Sequence, residues 1–173
     1  VQQSEYEQSQ RFSSIASLLF HGLLQSNDDV RIAASKLLKS FTSYYDITFD
    51  SSSRLFSKVS FAIDMTDFVV SYSSKLSHQF PKYSHEFFKT FFANFDKFSA
   101  RSKISGIMYI SPWVVNLYEQ ISEEIDSVEK LSFVVRQLCK ITIKNPTILS
   151  LMKEYIWKKL FGDMRMTKIL VDE

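Results

Sequence analysis

The side chains with the greatest chemical reach in this chain are few and scattered. Its histidines are His21, His78 and His85, and its single thiol is Cys139. His85-Glu86 has the opening of a helical zinc-protease motif, which sets two imidazoles one turn apart around a metal. The residue four places on is Lys89, so the second imidazole is missing and no metal site is expected. Glu123, Glu124, Asp126 and Glu129 cluster at a predicted helix start. Paired carboxylates can exchange protons, but acidic residues there also complement the positive end of the helix dipole, which is the simpler role. Cys139 follows Leu138 in an apolar register with no histidine close in sequence, the pattern of a buried structural thiol. Three glycines give little material for a phosphate-cradling loop. No catalytic, cofactor-binding or metal-ligating residue is expected, and the chain reads as non-catalytic.

These groups must be held by helices. Apolar residues make up 45% of the 173 positions, against three Gly and three Pro, too few turn formers for a sandwich or barrel. Val30, Ala33, Ala34, Leu37, Leu38 and Phe41 follow helical spacing, with Arg31, Ser35, Lys36 and Lys39 on the other face and Asn27 or Asp28 as cap. Phe12, Ile15, Leu19 and Leu23 form the stripe before it, with Ala16 and Phe20 alongside. Residues 46–65 read as a longer connection through the Ser51–Ser53 run, with a short helix near Leu55. Met65, Phe68, Val69, Tyr72 and Leu76 resume the helical pattern and stop before Pro81. Ile104, Ile107, Met108, Ser111, Val115 and Tyr118 hold one register through Pro112, which predicts a single helix kinked at that proline. Ser127 opens the next stripe, Asn145-Pro146 ends it, and Ile148, Leu151, Met152, Tyr155, Ile156 and Leu160 follow as far as Gly162.

About seven or eight helices at roughly 40 residues per pair match the period of HEAT and armadillo arrays. The expected fold is an all-α, HEAT/armadillo-like solenoid segment in antiparallel pairs, with pairs over roughly residues 6–45, 65–98, 100–144 and 147–173. The chain opens on Val1 rather than Met, as an excerpt from a longer protein does. Phe87, Phe88, Phe91, Phe92, Phe95 and Phe98 make an aromatic ridge whose simplest role is core, as for Trp113 and Trp157. The alternative is a protein-binding module gripping a partner through an apolar groove lined by Phe88, Phe92 or Phe95. Lys158, Lys159, Arg165 and Lys168 form a mild basic patch, most simply a solvated face, with contact to an acidic partner or to lipid head groups as the alternative. Net charge is +2, from 21 basic and 19 acidic residues, which argues against nucleic acid.

Met108-Tyr109-Ile110-Ser111-Pro112-Trp113-Val114-Val115-Asn116-Leu117 resembles the EYMTPWLSNL segment in the helical region of the neurofibromin and yeast Ira family of Ras GTPase-activating proteins. Ala34-Ser35-Lys36-Leu37-Leu38 is similar to that family's ASNLL, and Phe68-Val69-Val70-Ser71-Tyr72-Ser73-Ser74-Lys75-Leu76 to its FIVSISKTL. Glu86-Phe87-Phe88 falls where the family has EFLEE, and Tyr155-Ile156-Trp157-Lys158-Lys159-Leu160 resembles QAKIWGSLG. The resemblance implies a scaffold segment of a large negative regulator in Ras–cAMP signalling, lying after its catalytic and Sec14-like/PH modules. It implies neighbouring solenoid repeats as partners, a homodimer, Ras reached through a module outside this chain, and no cofactor. It also implies a cytoplasmic setting with at most peripheral membrane contact. The family's catalytic arginine and FLR motif have no match here, and Arg101 and Arg136 occupy ordinary helical positions.

Overall fold

Phe12, Ala16, Leu19, Phe20 and Leu23 recur at intervals of three and four, and they are the fully buried stripe of helix α1, Gln2–Leu23. A computed structural model describes residues 2–48, 66–119 and 125–161, and every regular element among them is helical. After α1 come α2 (Asp28–Tyr44), α3 (Thr66–Gln79), α4 (Ser84–Phe95), α5 (Ala100–Ile110), the short α6 (Asn116–Glu119) and α7 (Ile125–Lys144). The last helix, α8, combines Leu149–Leu151, a π-helical stretch Met152–Trp157, and Lys158–Leu160. The wider π turn lines up Met152, Ile156 and Leu160, all buried at four-residue spacing. Each proline, Pro81, Pro112 and Pro146, sits at the start of a 3₁₀ turn, where its missing N–H leaves no bond unmade.

The α1–α2 junction shows how sequence fixes a corner. Asn27 Oδ1 accepts from Val30 N at 3.2 Å, capping α2 as expected. Arg31 donates to the carbonyls of Gln25 (2.9 Å) and Ser26 (3.0 Å) and pairs with Asp28, so one guanidinium holds the turn. At its far end α2 closes with Asp46 in the left-handed region (φ 52°), Ile47 N bonding back to Thr42 O at 2.8 Å, a Schellman-type stop. Gly22 is the tightest contact, since a Cβ there would stand 2.7 Å from the Cβ of Ala34. Ala normally stabilises a helix interior relative to Gly by about 1 kcal/mol. Here Ala34 cannot rotate away and the helices must part, so Gly22→Ala is expected to lower stability by about 1–3 kcal/mol in urea unfolding. Ala34→Gly in the same chain should recover most of that loss, and an unchanged or raised midpoint for Gly22→Ala alone would refute the close approach.

α1 lies between α2 and α4, α4 reaches on to α7, α3 packs against α5 and the 3₁₀ turn at Ser111–Val114, and α5 meets the π-helical part of α8. The aromatic ridge is core: Phe87, Phe88, Phe91, Phe95 and Phe98 are buried, and Phe88 and Phe95 have no exposed surface. A surface groove lined by Phe88, Phe92 and Phe95 is therefore not formed.

Three expectations are corrected. α2 is turned from its predicted face, with Val30 and Ala33 exposed and Ser35 buried, because the small pair Ala34-Ser35 faces α1. The helix expected to run kinked through Pro112 instead ends at Ile110, passes through a 3₁₀ turn and restarts at Asn116. Along it Ile104 and Val115 are exposed, while Tyr109, Ile110, Trp113 and Val114 are buried. The covered arc is wider than a stripe because α3, α8 and the phenylalanines of α4 enclose this segment from several sides. The expected connection over 46–65, beyond Thr48, and the short helix near Leu55 fall outside the described residues, as does Gly162.

Candidate functional site: a buried polar hub around Trp113

Tyr109, Trp113 and Asn116 are spaced i, i+4, i+7, so the helical path through Pro112 turns all three the same way. Tyr109 Oη donates to the Ala16 carbonyl of α1 at 3.1 Å. Trp113 Nε1 donates to Ser73 Oγ of α3 at 2.9 Å, and that hydroxyl donates in turn to the Tyr109 carbonyl. Asn116 Nδ2 donates to the Ser77 carbonyl (2.9 Å) and to Ser84 Oγ (3.1 Å), whose own proton goes to the Pro81 carbonyl (2.6 Å). Aromatic faces enclose these bonds, with Trp113 stacked on Phe87 at 4.0 Å and Tyr109 on Phe20 at 4.5 Å. One short segment thus ties α1, α3 and α4 together. Each bond adds about 1 kcal/mol net, and stranding one partner costs about 1–3 kcal/mol.

Ser111 faces the other way. Its Oγ donates to the Tyr155 carbonyl of α8 at 3.0 Å, while Lys159 Nζ donates to Ser111 Oγ (2.6 Å) and to its carbonyl (3.2 Å). Partial burial pushes the Lys159 ammonium below the ordinary lysine range. A serine beside a lysine is the pairing of some nucleophilic hydrolases. Here the hydroxyl proton is committed to a backbone carbonyl, the ammonium is the donor, and Ser111 is 3% exposed, so an acyl group has no approach. The arrangement clamps α8 onto the turn after α5.

The sequence-predicted chemistry is dispersed. His21 lies half-buried against the Phe98 ring (4.4 Å), and burial lowers its basicity. His78 is exposed with Nδ1 at 2.9 Å from the Ser74 carbonyl, and His85 stands edge-on to Phe133 at 5.9 Å. Lys89 pairs with Glu86 at 3.0 Å. Glu129 is exposed, whereas Glu123, Glu124 and the side chain of Asp126 lie outside the described residues. Cys139 is exposed rather than buried, because position 139 falls just beside the inward stripe of Leu131, Val135, Leu138 and Thr142; partial desolvation still pushes its thiol up, away from the reactive thiolate. Of the mild basic patch, Lys158 pairs with Glu154 (3.5 Å), Lys159 turns to Ser111, and Arg165 and Lys168 lie outside the described residues. Trp157 is half-buried and donates to Thr142 Oγ1 at 3.2 Å. Arg101 and Arg136 are on exposed helical faces. No three His, Cys, Asp or Glu among the described residues converge on a point where a metal ion could sit.

An open groove of about 640 Å³ runs between α1, α4 and α7, past Tyr6, Lys82, His85, Lys89, Glu129 and Phe133. Its charges neutralise one another, Lys82 with Glu5 (3.3 Å) and Lys89 with Glu86, and the two ammonium groups rest over Tyr83 and Tyr6. These pairs take up Glu5, Glu86 and both lysines, while His85 and Glu129 line the groove beside them.

No family model matches the chain. Over 72 residues, 40% of its length, the chain is 29% identical to the inhibitory regulator protein IRA2 of Saccharomyces cerevisiae. Over 66 residues, 37% of its length, it is 32% identical to the inhibitory regulator protein IRA1 of the same yeast. The chain spans about 2% of the length of each of these relatives. The likeness is thus partial, and shorter than the 34–160 span of the resemblance.

Apolar periodicity alone passes over the hub. Ser73, Ser77 and Ser84 look like breaks in apolar stripes, yet Ser73 and Ser77 stand one turn apart on the buried side of α3 with Tyr72 and Leu76. The available signal was the distinctive Tyr109-to-Asn116 segment itself, in which polar residues recur at core spacing.

Proposed function

We propose that the chain is a non-catalytic helical segment of a large Ras-regulating protein, a scaffold whose stacked helices hold other modules in place. The observation that carries this is the partial likeness to the two yeast inhibitory regulator proteins, on a chain whose described elements are all helical. α2 packs on α1 as a HEAT-like pair does, while α1 on α4, α4 on α7, and α3 on α5 on α8 join helices that are not consecutive. The HEAT-like form of the scaffold therefore rests on the helical content and the roughly 40-residue period of the sequence. Tyr44 is 76% exposed at the end of α2 and Phe161 55% exposed after α8, surfaces that an adjoining segment would cover. Such a segment would sit in the cytoplasm, contact neighbouring repeats or a second copy of its parent, and meet Ras only through a module elsewhere.

Single-turnover GTP hydrolysis by Ras, with and without excess chain, tests the non-catalytic half. The expected result is no change. A rise approaching the 10³–10⁵-fold of an arginine finger would overturn it. The scaffold half is tested by retention of other segments of an Ira-type regulator on the immobilised chain, and failure to hold any of them would remove it.

A further inference from the structure

The net charge of +2 conceals a segregation. Residues 97–118 hold three lysines and arginines and residues 130–153 hold five, and neither stretch contains a carboxylate. The acids gather instead at Glu119, Glu123, Glu124, Asp126 and Glu129, around the start of α7. The fold then brings cations from separate stretches to one end. Lys103 Nζ donates to Asn145 Oδ1 at 3.1 Å and lies 5.4 Å from the Phe95 ring, tying the start of α5 to the ends of α4 and α7. Lys97 lies two residues past the end of α4, and Arg136, Lys140 and Lys144 succeed one another at four-residue spacing along the exposed side of α7. Among them Ile143 is 78% exposed. Lys97, Lys140 and Lys144 make no ion pair among the described residues.

Among the described residues, opposing charges at this end are sparse. Asp96 adjoins Lys97, and Asp28 and Asp29 lie beyond α1, whose last turn reaches Phe98 through His21; Asp28 is paired with Arg31. Complementation of the helix dipole accounts for lysines in the last turns of α7. It does not account for an isoleucine held out in water, nor for Lys97 and Lys103 arriving from other elements.

We propose that this end of the molecule docks on an anionic phospholipid membrane. A protruding aliphatic side chain flanked by Lys140 and Lys144, with Lys97 and Lys103 at the same end, suits a partner that is anionic at its surface and apolar a few ångströms below. A bilayer with anionic headgroups has both layers. An acidic protein surface supplies the charge, but meets Ile143 only if a pocket stands opposite it. No described helix is long and apolar enough to cross a membrane, so the contact is peripheral.

The test is co-sedimentation of the 173-residue chain with phosphatidylcholine vesicles and with vesicles carrying about 30% phosphatidylserine, a strongly anionic surface. Binding is expected to the second only, weakening as salt is raised. Lys140→Gln with Lys144→Gln should weaken it roughly 30-fold. Ile143→Ser should weaken it about ten-fold without altering the salt dependence. All three positions are exposed, so the variants should keep the wild-type helical circular dichroism. No binding to anionic vesicles, equal binding to both kinds, or a lysine double variant within two-fold of wild type would overturn the proposal. An unaltered Ile143→Ser variant would remove the apolar layer and with it the choice of a bilayer. Capture by a polyglutamate matrix without anionic-vesicle binding would overturn it in favour of an acidic protein.

Discussion

Replacing Trp113 with Ala is expected to lower the free energy of unfolding by about 3–5 kcal/mol, the cost of deleting a large, fully buried aromatic. Trp113 has no exposed surface, stacks on Phe87 at 4.0 Å and stands 6.3 Å from Phe12, so its removal opens a void against α4 and α1 together. It also takes away the donor that Ser73 Oγ accepts in the interior. A domain of this size has about 5–15 kcal/mol in total, so the variant should populate unfolded chains in mild urea. Trp113→Phe keeps an aromatic face toward Phe87 but loses the indole N–H, and should fall between Ala and wild type. Trp157→Ala removes the same side chain from a half-buried site and should cost less. The remaining tryptophan reports unfolding by fluorescence in either variant. A loss for Trp113→Ala no greater than for Trp157→Ala would contradict the hub as the centre of the fold.

How much of this was legible in the sequence depends on how many sides of a helix are covered. α1 and the inward face of α7 each present one stripe, and period 3.6 located Phe12, Leu19, Leu131 and Leu138 correctly. α5 and the turn after it are enclosed from several sides. A single-stripe reading there chose Ile104 and Val115, which are exposed, over Ile110 and Val114, which are not. Polar core residues are invisible to apolar counting: Ser73, Ser84 and Asn116 are buried with side-chain partners on other elements, which sequence spacing does not reveal, and Ser77 is buried with its hydroxyl bonded to the Ser74 carbonyl of its own helix. Cys139 failed for the opposite reason, since one position of rotation separates it from buried Leu138. Charge totals likewise average away the separation between the two ends of α7. The Gly22–Ala34 contact was beyond reach as well, because nothing in a lone glycine says which neighbour comes close.

The phenols of Tyr72 and Tyr109 make the fold sensitive to alkali. Burial pushes both far up from the ordinary tyrosine value of 10.0, so above pH 10 the unfolded chain releases two protons that the folded chain retains. Where the folded state binds more protons, stability falls as pH rises. The stabilisation is complete below pH 10 and is lost upward from there, at about 1.4 kcal/mol per pH unit for each phenol. Lys159 works in the opposite sense, since its lowered folded value adds stability as pH approaches the lysine value of 10.5. Its contribution cancels when two proteins that both contain it are compared. Tyr109→Phe supplies that comparison. At pH 9 the variant should be less stable by about 1 kcal/mol, the worth of the bond to the Ala16 carbonyl. Above pH 10 it should lose about 1.4 kcal/mol per pH unit less than wild type, the contribution of the one phenol removed, so the two urea-derived stability curves should cross at about pH 11. Parallel curves would mean that Tyr109 ionises within the folded protein, and that the aromatic enclosure between Phe20 and Phe87 admits water to its hydroxyl.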